Sequence, residues 1–570
     1  MHNSCPAVPT VNLSRNKRQG QAGLNAWQAI SSLLTTGNEA FAVTGTMDRD
    51  AITAFIASHI PSEGRVAPGA ASGPASAPFR SDAANGSQVL RSVKKGEKWD
   101  ADTFREHIQD VVNMIQSVMA PQEGQGSLSA VDAKTRDLFP FVVCRCRHNL
   151  LARVNDGGKM WGLATHPMTY IHEQLETSAT RGSIPDQTFV LLPNALRSTF
   201  EREEIPPAQP WAKLFKYSVD TIQTTLEELV ARSEVKAKRR KTETLEERKT
   251  RVLEALKKVS DLYDAMQLLK RLLDSKVLEF LLTPAIQRKL GEMRKGISTA
   301  RCSRVEALVM EASGRKSEIG GDVEEEEAFL DDGDGDDDCL ARYLKSLLVP
   351  LDIVTAIVFL PTPSHPPRVS AIYVDDGPLE PLDARPFVDD VLKVIQDVLQ
   401  EKKINVPAAE LQKALDTAVG KVNEASVHAE AKLMARALSA HAAKDAPLEG
   451  HGTSAETLDL MKSVFKDDTI AMGVSQKCCY CCHLLAQLIA ERQSDRVQFV
   501  LPGTRSAVLP WYPPDGLPID VLKRMRDELY DAVRERVADA TFVPGSTQTI
   551  PLHLDFDLPE QGDASWLSAD

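Results

Sequence analysis

The sequence predicts an α/β protein, with a layered α/β domain at the C-terminal side, over residues 339–545, preceded by a mostly helical region over 99–313. Three observations carry that expectation. Before residue 313, apolar residues recur at alternating three- and four-residue spacing, the period of one helix face. After residue 339, β-rich runs alternate with helical patterns, as they do in layered α/β domains. Between the two lies a block with twelve acidic residues and no basic one, Glu318 to Asp338. Such a block repels itself and stays solvated, which makes 314–338 an acidic linker.

Residues 1–60 hold short apolar patches and are assigned to no element. Residues 61–98, beginning "PSEGRVAPGAASGPASAPFR", are rich in Pro, Ala, Gly and Ser and read as a flexible linker. In the helical region the clearest face is Val252, Leu256, Val259, Tyr263, Met266, Leu269 and Leu273, which suits a helical bundle core or a partner-binding coiled coil. Upstream, "KAKRRK", Lys236 to Lys241, is a nuclear-import signal, a phosphate contact or a solvated face. The acidic block does not make an EF-hand, because the sixth position counted from Asp332 is Asp337, where that loop requires glycine.

Past the acidic block, "IVTAIVFL" and "RVSAIYVDD" are two β-rich runs joined by "PTPSHPP" and suggest a hairpin. Helical patterns follow at 383–401 and 408–422. "VHAEAKLMARALSAHA" then reads as a helix, "DTIAMGV" as a strand, "CCYCCHLLAQLIAER" as a helix and "RVQFVLPG" as a strand. "PIDVLKRMRDELYDAVRERV" is a final helix with Leu522, Met525, Leu529 and Val533 on one face, and 546–570 is a C-terminal tail.

Composition limits the function classes. The chain is 42% hydrophobic and 26% charged, as soluble globular proteins are. Its N-terminus lacks the apolar core of a secretory signal. The longest apolar run, "SLLVPLDIVTAIVFLP", is broken by Pro350 and Asp352 and falls short of a membrane span. These features predict an intracellular protein, cytoplasmic or nuclear, without a membrane partner. The net charge of −13 belongs almost wholly to the acidic block, so the body of the protein is close to neutral. Nine cysteines in 570 residues in a reducing compartment are expected to be free, metal-bound or catalytic.

Four of those cysteines crowd into "KCCYCC", at Cys478, Cys479, Cys481 and Cys482. Two cysteines separated by two residues at a helix start point to one spot, and the positive helix end favours their thiolates. Zinc takes such thiolates tetrahedrally, with a histidine as third ligand, and a fourth position left for water makes the site catalytic. A nearby carboxylate that is not a ligand can then move protons. His428 is the only histidine followed two residues later by a glutamate, Glu430. Each half alone has a plain explanation, a buried or surface histidine for the one and a redox pair or packed thiols for the other. Together, in order, on helix–strand–helix, they follow the arrangement of the zinc deaminases, H-x-E and then P-C-x-x-C, without its proline. Periodicity leaves two registers open, Cys478 with Cys481 or Cys479 with Cys482.

On "VHAEAKLM", "GVSQKCCYCC" and "GTRSAVLPWYPP", residues 345–545 resemble a mainly fungal, little-characterised deaminase-like family of the cytidine deaminase-like superfamily. The resemblance implies a three-layer α/β/α fold, a mixed sheet sandwiched by helices with the site at two helix N-termini. It also implies the register Cys479 with Cys482, with Tyr480 between them, and it puts Cys478 where the wider superfamily has proline. Cys481 is then a buried spare thiol and His483 a helix residue. The implied cofactor is Zn2+ on His428, Cys479 and Cys482, with Glu430 shuttling protons between water and a leaving amine. The implied substrate is a cytosine or adenine base in a nucleoside, nucleotide or single-stranded nucleic acid. Trp511 and Tyr512 could stack on that base or cap a hydrophobic core beside their prolines. The competing expectation is a non-catalytic zinc-binding scaffold on the same fold, with protein partners engaged through the helical region. Glu430 favours catalysis, since a purely structural zinc site has no use for it.

Overall fold

The protein is described here by a computed structural model. It describes residues 16–35, 40–48, 51–59, 78–95, 101, 103–120, 128–177, 208–239, 244–294, 336–360, 368–374, 385–402, 411, 416, 425–442, 455–492, 497–504 and 508–539. Most of the acidic block, most of the 408–422 segment and the C-terminal tail lie outside these residues.

A mixed six-stranded sheet organises the chain. Its strands are β1 (Ala40–Met47), β2 (Ala51–His59), β3 (Phe79–Arg80), β4 (Arg368–Val374), β5 (Thr469–Val474) and β6 (Gln498–Val500), in the order β3-β4-β2-β1-β5-β6. β1 pairs antiparallel with β2 and with β5. β2–β4 and β5–β6 are parallel. The two central strands therefore come from the segment that pattern alone assigned to no element, and the sheet is not drawn from 339–545 by itself. Both strands are rich in small and β-branched residues, which fit a surface packed on both sides.

Alternation along the strands feeds two cores. Phe41, Val43, Ile52, Ala54 and Ile56 face one; Ala42, Phe55 and Ala57 face the other. The first core is closed by α1 (Asn16–Leu34), α2 (Phe104–Met119), α3 (Leu128–Met160), α4 (Ala208–Arg239), α5 (Leu245–Asp274) and α6 (Val349–Val358). The second is closed by α7 (Ala429–Ala442), α8 (Tyr480–Glu491), α9 (Ile519–Asp539) and a helix at Ala455–Val464. Helices thus cover both faces of the sheet.

α1 sits on β5 at van der Waals distance. A Cβ on Gly473 would lie 2.0 Å from the Trp27 carbonyl carbon, so only glycine admits the helix there. The Gln28 side chain bonds both backbone groups of Val474, accepting from its N–H at 3.0 Å and donating to its carbonyl. Next along the chain, Ser475 and Phe41 exchange two bonds, each of 2.8 Å. The N-terminal segment therefore fixes the strand that runs into the cysteine cluster.

α5 carries the face expected from its periodicity, with Val259, Tyr263, Met266 and Leu269 buried. A reciprocal capping box between Thr244 and Glu247 starts it. Two expectations are corrected. "IVTAIVFL" is not one arm of a hairpin, because it lies largely in α6. Pro350 in the first turn and Asp352 behind it are helix-start signals, and they outweigh the β-branched content once Leu351, Val354 and Ile357 are buried. Within the expected linker 61–98, Phe79–Arg80 forms edge strand β3 and Ala83–Lys94 a helix capped by Asp82. Val89 and Val93 bury on the first core, which stabilises that segment against its polar composition. No described helix is long and apolar enough to cross a membrane.

Candidate metal centre

The cluster forms where two helices begin side by side. Cys479 is the N-cap of α8, and its sulfur accepts the Cys482 N–H at 3.4 Å. This is the usual task of a capping side chain, and it draws negative charge onto that sulfur. His428 immediately precedes α7, and Glu430 lies in its first turn. The short segment before α7 is held by the loop after β6. Ser426 pairs with Trp511, the Tyr512 N–H donates to the Ser426 carbonyl at 2.9 Å, and His428 Nε2 donates to the Pro510 carbonyl at 3.2 Å.

That last bond fixes the imidazole tautomer. With its proton on Nε2, the neutral form of His428 turns a lone pair on Nδ1 toward the cysteines. Nδ1 lies 3.2 Å from Cys479 Sγ and 3.5 Å from Cys482 Sγ. The three candidate ligand atoms all lie within 4.8 Å of one another, and all three residues are buried. A tetrahedral zinc with ordinary bond lengths would separate N from S by about 3.5 Å and S from S by about 3.8 Å. The donor set and its spacing fit such an ion.

The electrostatics suit a cation. Burial by itself would raise the Cys479 thiol, but hydrogen bonds from Cys481 and Cys482, with the His428 imidazole alongside, hold it well below the ordinary thiol range. Cys482 is pushed up by burial and by the charge on Cys479. The two thiols are thus pushed in opposite directions, and a bound dication would favour the thiolate form of both. Burial would lower His428, yet the neighbouring Cys479 charge carries it up to about 9. Burial raises Glu430, against the opposing pull of His428.

The four cysteines have four different surroundings. Cys479 and Cys482 face His428. The Cys478 thiol hydrogen-bonds the Glu430 carboxylate, and the Cys478 backbone is tied to Gly503 and Thr504 by bonds of 3.2 Å each. Cys481 is buried beside the Cys479 sulfur. Glu430 is 8% exposed, and Cys482 Sγ lies 3.9 Å from its Oε2.

The proposed substrate aromatics are placed differently. Tyr480 is half-buried, and its charged neighbours include Glu528 and Glu535 of α9. Trp511 packs against the second core, with its indole N–H buried and without a partner. Tyr512 reaches the site region through its backbone N–H. Pattern reasoning missed His59, which ends β2 and meets His428 edge to face at 4.7 Å between ring centroids. A single histidine at a strand end carries no motif.

No family model, no curated protein and no solved structure matches the chain.

Proposed function

We propose that this cluster is a zinc centre for hydrolytic deamination of a cytosine or adenine base, carried by a nucleoside, nucleotide or single-stranded nucleic acid. The observation that supports it most is the placement of Glu430, a buried carboxylate beside a His/Cys/Cys donor set to which it does not belong. A structural site has no use for a carboxylate there, and the cost of burying one is offset only by the Cys478 thiol and the nearby His428.

When bound, zinc supplies Lewis acidity that brings the pKa of a water to near 7. His428, Cys479 and Cys482 would hold it. The remaining work falls to the chain. Glu430, whose pKa burial raises, accepts the proton of the attacking water. It then delivers that proton to the exocyclic amine as the C–N bond breaks, leaving a carbonyl on the base and ammonia as product. The Cys478 thiol orients the carboxylate for both transfers. The Pro510 carbonyl keeps the His428 ring from turning, and the apolar residues of α7 and α8 keep bulk water away.

The test is incubation of purified protein with cytosine and adenine substrates as nucleosides, nucleotides, RNA and single-stranded DNA, with Glu430→Ala as control. Ammonia release by the wild type and not by the variant supports the reading. A zinc-loaded protein inactive on every substrate favours the scaffold reading instead.

A further inference from the structure

The tripeptide that delivers the candidate ligand His428 is gripped from two sides. One side is the loop after β6, through Pro510, Trp511 and Tyr512. The other is the end of β2, from the opposite end of the chain. His59 places a ring nitrogen on the Val427 carbonyl. The Ser426 hydroxyl lies 3.2 Å from its Nδ1 and 3.4 Å from its Nε2. Below, Lys432 Nζ donates to the Ser58 carbonyl at 3.0 Å, tying the first turns of α7 to the same strand end.

A neutral imidazole has one N–H donor and one acceptor nitrogen. The Ser426 hydroxyl lies within hydrogen-bond reach of both ring nitrogens, and the Val427 carbonyl lies beside the ring. The polar edge of His59 is therefore turned to the backbone segment 426–427. The edge-to-face contact with His428 then limits rotation of the ligand ring itself. We propose that His59 is a positioning residue for the metal centre, which sets the backbone and ring orientation of His428 through hydrogen bonds to Ser426 and Val427. The proposal rests on the cluster being a metal centre and is independent of which reaction, if any, that centre performs.

The experiment measures zinc affinity of the full-length protein by competition with a chromophoric chelator. Zinc alone is the probe, and His428→Ala is the control that removes a ligand. His59→Ala and His59→Phe should bind zinc roughly 10–100-fold more weakly, the usual effect of losing a group that orients a ligand. Phenylalanine keeps the ring and loses both hydrogen bonds. His59→Asn, whose amide offers one donor and one acceptor, should recover much of the loss. Ser426→Ala removes one bond from the other side; it should weaken binding by less, and should weaken it no further when combined with His59→Phe. This variant keeps the test available if the His59 substitutions do not fold. Unchanged affinity in His59→Phe and Ser426→Ala overturns the proposal while leaving the metal centre standing. Asparagine no better than phenylalanine overturns the hydrogen-bonding role. If wild type and His428→Ala alike hold no zinc, the metal reading falls and the proposal falls with it.

Discussion

Two groups of buried titratable side chains lie on opposite faces of one sheet, and they are built on opposite principles. On the helical face, Arg145 of α3 meets Asp110 of α2 at 2.5 Å, with side chains 1% and 5% exposed. Nearby His107 bonds the Leu33 carbonyl at 3.0 Å. His166 accepts the Met168 N–H on Nδ1 and bonds the Tyr343 hydroxyl through Nε2. Each of these groups bonds a partner that the chain itself supplies, although Arg145 Nε and Nη1 and His107 Nδ1 are buried without one. On the other face, the Nδ1 of His428 and the sulfurs of Cys479 and Cys482 turn lone pairs toward one another, which is unfavourable unless a cation or a proton lies between them. Closed pairs serve packing, whereas three convergent donor atoms make a group that could hold a metal ion. The contrast distinguishes a site from a core where burial alone does not.

The largest expected effect is at the convergent group. Cys479→Ser or Cys482→Ser should abolish zinc retention, measured by mass spectrometry, while Cys478→Ser and Cys481→Ser keep about one ion per chain. If Cys478 and Cys481 prove essential instead, the convergence described here has been misassigned.

Next comes the proton transfer proposed for Glu430. Glu430→Ala and Glu430→Gln should leave zinc content and the melting temperature nearly unchanged and lower kcat by about 10²–10⁴-fold. Equal activity in variant and wild type would remove Glu430 from the chemistry.

On the helical face, Asp110→Ala leaves the Arg145 charge buried without its carboxylate. Breaking one side of a buried pair costs about 3–5 kcal/mol, read as a fall in unfolding free energy in urea. Zinc per folded molecule should not change; if it does, the two faces are coupled and the contrast is weaker than drawn.

The smallest effect is a pH dependence. His107 has its pKa lowered to about 4, by burial first and the Arg145 charge second. Between about 6.5 and 4 the unfolded chain holds a proton on this ring that the folded protein does not, so stability rises with pH across that window. It is therefore lost as pH falls from about 6.5 to 4, with no further loss from this group below 4. The lost stability amounts to about 3 kcal/mol at about 1.4 kcal/mol per unit. The difference between wild type and His107→Gln in urea titrations across pH 4–7 isolates it, and identical slopes would refute the assignment.

Local patterns account for much of the architecture and for most of the cluster. The Val259–Leu269 face gives α5, and the run Ile470–Val474 gives β5. The pairing of His428 with a crowded cysteine segment needed only spacing and order. What could not be read depended on distant chain. β1 and β2 are buried on both faces, so they lack the polar–apolar alternation that marks a half-exposed strand, and β1 finds its second partner in β5. The run in α6 is too short and too apolar for its period to show. His59 acquires meaning only when β2 brings it against Ser426, and Cys478 only when Gly503 and Thr504 fix it beside Glu430.

The pairing of Phe41 with Ser475 spans 434 positions. Its consequence concerns time. A chain synthesised at about 5–20 residues per second presents the β1–β2 hairpin roughly 20–90 seconds before β5 exists to cover its edge. Through that interval the edge of β1 carries unpaired amides and carbonyls, which other strands can recruit. Of the partners that flank β1 in the finished protein, α1 and β2 are made first, and they are available to shield it while the rest of the chain is synthesised. The candidate metal centre, whose cysteines follow β5, can form only after that strand has been made.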